Sequence, residues 1–136
     1  MESENDYKKD FDRWISVKKK TEKRSRINAY KYSVFWCAFG ENIGSEISGK
    51  GNDFLRPVVI LKKFGDRCVL VAPLTSNISP NKNNILLKIT GSEEIKNVLI
   101  SQIRVIDGKR LYEYIGKVNE EYRETLKEKF NNIVKI

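Results

Sequence analysis

The stretch FLRPVVIL, residues 54–61, sets an arginine and a proline directly before four apolar residues. Four consecutive apolar residues bounded by polar loops suit a strand covered on both faces. Proline has no N–H for a sheet ladder and is confined to strand starts, edges and bulges, so Pro57 marks a strand start. Arginine is rarely buried unpaired. Arg56 is therefore expected at the rim of a buried strand, as punctuation or as a charge held at a site.

Working outward, SVFWCAF (33–39) is apolar on both faces and reads as the strand before it, with ENIGSEISGKGND (41–53) as a Gly- and Ser-rich loop between them. VVILKKF, the turn GDR and CVLVAPL follow as strand, turn and strand. SNISPNKNN is a second polar loop, ILLKI a short strand and GSEEIKN a connector. VLISQIRVI alternates from Ser101 onward and reads as strand; GKRLYEY suggests a short helical turn before IGKV pairs again. The end is helical, with Asn119 as N-cap, acids at Glu120 and Glu121, and a stripe of Tyr122, Leu126, Phe130, Ile133 and Val134. Near the start, Phe11, Trp14, Ile15 and Lys18 follow helical spacing and predict a helix from about Tyr7 to about Arg24. It carries the basic run KKKTEKRSR (18–26), whose plainest reading is a solvated face, with phosphate contact as the alternative. Helix, short antiparallel strands with long loops, then helix predicts an α+β fold built on a partly open β-barrel. Residues 1–30 form a charged helical extension and residues 31–136 the barrel domain.

The 136 residues suit one domain. Lys and Arg number 26 against 18 Asp and Glu, a net +8 that favours a polyanionic partner. No apolar run is long enough for a membrane helix, and the N-terminus lacks the apolar core of a secretory signal. Cys37 and Cys68 lie in apolar runs and read as small hydrophobes in a reducing, cytoplasmic setting, with a disulfide between them the weaker alternative. The chain has no histidine, which removes the commonest general base and metal ligand. No metal-ligand spacing stands out, so neither metal nor cofactor is expected.

Four polar features flank the apolar strands. They are Gly44-Ser45-Glu46, Arg56-Pro57, Pro73-Leu74-Thr75-Ser76 and Ser101-Gln102-Ile103-Arg104. Each alone is weak. In this order and spacing they resemble the MazF/PemK/Kid-type toxins, ribosome-independent endoribonucleases of toxin–antitoxin pairs, from about Val34 to the C-terminal helix. The resemblance implies an SH3-like, partly open barrel that acts as a homodimer, cuts single-stranded RNA without metal, and is held by an acidic-tailed antitoxin. It places the catalytic arginine at Arg56, the catalytic threonine at Thr75, and a Gln-x-Arg motif at Gln102 and Arg104. Glu46 is the carboxylate available as base or as orienter of Arg56. Ser45, Lys50, Phe54, Ser76, Gln102 and Arg104 are expected on RNA. Lys62, Lys63 and Lys82 are further sources of charge. Trp36, Phe39 and Phe54 are the possible stacking faces, Phe54 foremost because it stands in the polar loop.

The chain departs from the family pattern in three places. KGNDFL (50–55) is inserted before Arg56, Ser101 stands where some branches carry a catalytic aspartate, and the N-terminal segment is an extension that ends strongly basic, unlike a fused antitoxin tail. Three other readings remain on the same barrel. One is a non-catalytic module for nucleic acid or protein. Another is a gyrase-binding toxin of the CcdB type. The third is a degenerate family member whose insertion has cost it activity.

Overall fold

The computed structural model describes residues 9–78 and 84–135. Helix α1 spans Phe11–Glu22 and helix α2 Glu120–Ile133. Between them run β1 (Ser33–Ala38), β2 (Leu55–Phe64), β3 (Cys68–Thr75), β4 (Leu86–Lys88), β5 (Ile95–Val98), β6 (Arg104–Asp107) and β7 (Leu111–Lys117). All pairings are antiparallel, in the order β4-β5-β3-β2-β1-β7, with β6 on the edge of β3. The ladder does not close, and one bridge, Ile89 to Val118, ties its two ends. This is the α+β, partly open barrel that the alternation of short strands and long loops predicts.

The continuous apolar runs are explained by two cores. Along β2, Val58 and Ile60 pack with Phe35, Cys37, Phe39, Val69 and Val71. Val59 and Leu61, pointing the other way, pack with Val34, Ala72, Leu74 and Leu126 of α2. Successive strand residues point to opposite faces, so a strand buried on both sides must be apolar throughout. Pro57 pairs with Trp36 on β1 and stands just before the β2–β3 ladder, which begins at Val58 opposite Pro73, so its missing N–H costs that ladder no rung.

Several local expectations are corrected. α1 starts at Phe11 because Asp10 caps it, its side chain accepting from Arg13 N at 3.0 Å; Tyr7 and Lys8 lie outside the described residues. GSEEIKN is more than a connector, since Ile95–Val98 pairs with β3 and β4. The strand expected from Ser101 is broken: Ile100–Gln102 forms a 3-10 turn before β6 begins at Arg104. The turn expected in GKRLYEY is a 3-10 turn at Gly108–Arg110. In α2, Leu126 is buried, while Ile133 and Val134 at the end of its apolar stripe remain exposed.

Helix α1 is fastened to the barrel. Trp14 and Val17 bury against Ala38, Phe54, Leu55 and Tyr112. Part of the basic run serves the same purpose: Lys20 pairs with Asp53 at 2.8 Å, Arg24 stacks on Tyr112 and donates to the Leu111 carbonyl, and Arg26 grips Asp107 with three hydrogen bonds. Both cysteines are free thiols, and burial pushes Cys37 up to about 12, so it stays protonated and inert. No helix among the described residues is long and apolar enough to cross a membrane.

Candidate active site

The β2–β3 register builds the site. The last ladder pair is Val58 with Pro73. Two residues further along each strand, past the last paired rung, stand Arg56 and Thr75. Beyond Pro73, β3 turns to pair with β5, Leu74 opposite Val98 and Thr75 opposite Asn97. The next step of that register sets Ser76 against Lys96, and Lys96 Nζ donates to Ser76 Oγ at 3.0 Å. Ser76 in turn donates to Glu94 Oε1 at 2.8 Å, and that hydrogen bond, with the charge of Lys96, holds the Glu94 carboxyl below its usual range.

Arg56 and Thr75 line one cleft of about 570 Å³ with Trp36, Lys50, Lys96 and Glu113. The Arg56 side chain is half-buried and its Nε donates to the Ser48 carbonyl at 3.0 Å, which fixes the guanidinium. Burial lowers its pKa from the ordinary arginine value. Thr75 Oγ1 accepts from Asn77 N at 3.2 Å, leaving its hydroxyl proton for a further acceptor. Trp36 is 38 % exposed on an otherwise buried strand, an aromatic face open to the cleft.

Two further cavities continue this cleft. One, of about 510 Å³, shares Lys50, Gly51 and Arg56 with it and adds Lys9, Arg13 and Glu46. The other, of about 500 Å³, shares Glu46 with the second and holds Ser45, Gln102 and Arg104. Arg56 thus sits at the middle of a connected basic face. Gln102 Oε1 accepts from Ile47 N at 3.2 Å and pins the loop 41–49 to the barrel. Arg104 lies over the Phe39 ring, 5.1 Å from its centroid. Its neighbour Arg110 donates to the Ala38 carbonyl, with its pKa lowered by burial and by the charge of Arg104.

Some expected site residues fall elsewhere. Phe54 is 1 % exposed, edge-to-face with Trp14 at 5.5 Å and covered by the Arg13 guanidinium, so no base can stack on it. The loop is polar, but α1 lies on it, and its one large apolar side chain turns under the helix. Phe39 is likewise buried, at 2 %. Lys62 and Lys63 lie at the far end of β2, six and seven residues from Arg56, about 20 Å at strand rise. Lys63 bonds Asn28 there. Lys82 lies outside the described residues. Glu46 is exposed, its Oε1 accepts from Ile43 N at 3.0 Å, and it makes no ion pair with Arg56 among the described residues. Lys96 and Glu113 were missed because only strand pairing brings them to the cleft.

The seven-stranded open barrel has counterparts among solved structures. Deinococcus radiodurans MazF (Form-I) superposes with a TM-score of 0.62 at 18 % identity, over 81 % of this chain and 99 % of that one. The D. radiodurans MazE–MazF structure (Form-II) gives 0.58 at 14 %, over 81 % and 98 %. A mycobacterial endoribonuclease in complex with its cognate antitoxin gives 0.55 at 13 %, over 77 % and 91 %. At these identities the likeness is one of fold. No curated protein matches by sequence. The family described as PemK-like, MazF-like toxin of type II toxin–antitoxin system matches residues 30–134, from the end of the N-terminal extension through α2. The strands, Arg56, Thr75 and the C-terminal helix all fall inside that match, and the chain belongs to this family of toxins.

Proposed function

We propose that the protein is a sequence-specific endoribonuclease that cuts single-stranded RNA, the toxin of a pair whose partner is an acidic-tailed antitoxin. The observation that carries this is that Arg56, its guanidinium held by the Ser48 carbonyl, lines one cleft with Thr75. Residues 31–136 act as the toxin domain and residues 1–30 as its extension. The working unit is a homodimer in the cytoplasm.

RNA supplies its own nucleophile. The 2′-hydroxyl attacks the adjacent phosphorus, the 5′-oxygen leaves, and the products are a 2′,3′-cyclic phosphate and a 5′-hydroxyl. Arg56 remains protonated and faces the non-bridging oxygens with N–H donors, stabilising charge that builds only in the phosphorane. Thr75 donates one further hydrogen bond to the same phosphate. The proton of the 2′-hydroxyl goes to a carboxylate. Glu113 is better placed for this than Glu46, because Glu113 shares the cleft of Arg56 and Thr75 while Glu46 caps its own turn. Lys96, which lines that cleft, supplies the proton for the leaving oxygen.

The test is cleavage of a long single-stranded RNA by purified protein in EDTA, with the ends mapped. New 5′-hydroxyl ends at a repeated short sequence support the proposal; binding without cutting across a broad set of transcripts removes it. Thr75→Ala should slow single-turnover cleavage about 10²-fold, the effect of one donor lost from a transition state. Glu113→Gln should slow it about 10²–10³-fold. Glu46→Gln should leave the single-turnover rate near wild type. The reverse order of the two glutamate effects would return the base to Glu46.

A further inference from the structure

We propose that the cavity between α1 and the loop 41–55 is a second phosphate-binding subsite for the RNA strand, built by the N-terminal extension. The inference rests on the ribonuclease reading above and adds a substrate-binding role for residues that the family match, at 30–134, does not reach. Four cationic side chains, Lys9, Arg13, Lys50 and Arg56, line this cavity of about 510 Å³ against one carboxylate, Glu46. Such an excess of fixed positive charge in a concave site is what a polyanion recognises, and single strands are held in basic grooves that follow the backbone.

The site is preorganised. The Arg13 guanidinium stands over the Phe54 ring, 5.0 Å from its centroid, with Nη2 donating to the Gly51 carbonyl at 3.4 Å. Its side chain is 50 % exposed, so part of the guanidinium fork remains available to an incoming oxyanion. Lys9 Nζ reaches the carbonyls of Asn42 and Gly44, which holds the ammonium over the loop. The helix that carries Arg13 is set by the burial of Trp14 and Val17, and the segment before it that carries Lys9 by Asp10 N donating to Glu41 Oε2 at 2.8 Å. Continuity favours RNA as the occupant. The cavity shares Lys50, Gly51 and Arg56 with the cleft of Thr75, so a strand with its scissile phosphate at Arg56 passes directly into it. Phosphate contacts of this kind fix register and add affinity without reading bases.

The test uses the full chain with Lys9→Met and Arg13→Met together. Methionine keeps an unbranched apolar stem to cover Phe54 while removing the charge. The probe is an oligonucleotide containing the mapped cleavage site, with a 2′-O-methyl group on the attacking hydroxyl. The double variant should bind about tenfold more weakly at low salt, and its log–log salt slope should fall by about 1.4, two phosphates at roughly 0.7 each for a single strand. KM should rise with kcat at saturation unchanged, and the deficit should vanish when the oligonucleotide is trimmed from one end and persist when trimmed from the other. A melting curve matching wild type confirms that α1 stays docked. If it does not match, Arg13→Lys, which keeps the charge, must retain the wild-type slope for the proposal to stand. Wild-type protein that cuts RNA, with a double variant unchanged in affinity and slope, overturns the subsite alone. Weaker binding of an acidic peptide with RNA binding intact also overturns it and assigns the cavity to a protein partner. A wild-type protein that cuts no RNA overturns the ribonuclease reading itself.

Discussion

Arg56→Ala is expected to lower single-turnover RNA cleavage by about 10³-fold, at the upper end of the loss for one transition-state donor, while the barrel stays folded. The size follows from what the side chain supplies. Arg56 brings a full charge and a planar fork to a phosphorane, and half-burial in the rim strengthens each contact relative to water. The fold tolerates the loss because, among the described residues, the guanidinium has one hydrogen-bond partner, the Ser48 carbonyl, worth about 1 kcal/mol. The strand itself is held by Val58, Val59, Ile60 and Leu61, all buried and all untouched. Arg56→Lys should recover little, since a compact ammonium replaces neither the paired donors nor the reach to Ser48. Cleavage in Arg56→Ala within tenfold of wild type, with an unchanged melting curve, would remove Arg56 from the chemistry.

What could be read in the sequence and what could not divides along one physical line. The three central strands were legible because each is buried on both faces, so local apolar runs report the global fold. Arg56 and Thr75 were legible as strand-end residues, and both line one cleft. Lys96 and Glu113 carried no local signal. Ser76 finds Lys96 across twenty residues through the β3–β5 pairing, and Glu113 reaches the cleft on β7, beside β1. Phe54 was misjudged for a similar reason. Its neighbours in sequence are polar, but its neighbours in space are Trp14 and Arg13, forty residues earlier. The break at Ile100–Gln102 was hidden because a 3-10 turn of three residues interrupts an alternation without erasing it.

The same contact makes Trp14→Ala the most destabilising single change expected here, about 3–5 kcal/mol, as for other large-to-small changes in a packed interface. Trp14 is 7 % exposed and lies against Gly40 so closely that a Cβ there would meet its indole at 2.5 Å. It also packs edge-to-face on Phe54. With the indole gone, α1 keeps Val17, the Thr21–Tyr112 and Asp10–Glu41 hydrogen bonds, and the exposed Lys20–Asp53 pair, which contributes little. The helix should therefore release locally before the sheet unfolds. Hydrogen exchange should show lost protection over residues 11–22 and 41–55, with β1, β2 and β3 still protected. Ile15→Ala, at an exposed position one residue along the same helix, should change stability by no more than about 0.5 kcal/mol. Cleavage should fall with the helix contact, because the Ser48 carbonyl that aims Arg56 belongs to the loop that α1 covers. Full protection of residues 11–22 in Trp14→Ala would show that the extension is held by something other than this interface. Lost protection with unimpaired cleavage would show that the loop holds Ser48 in place without the helix.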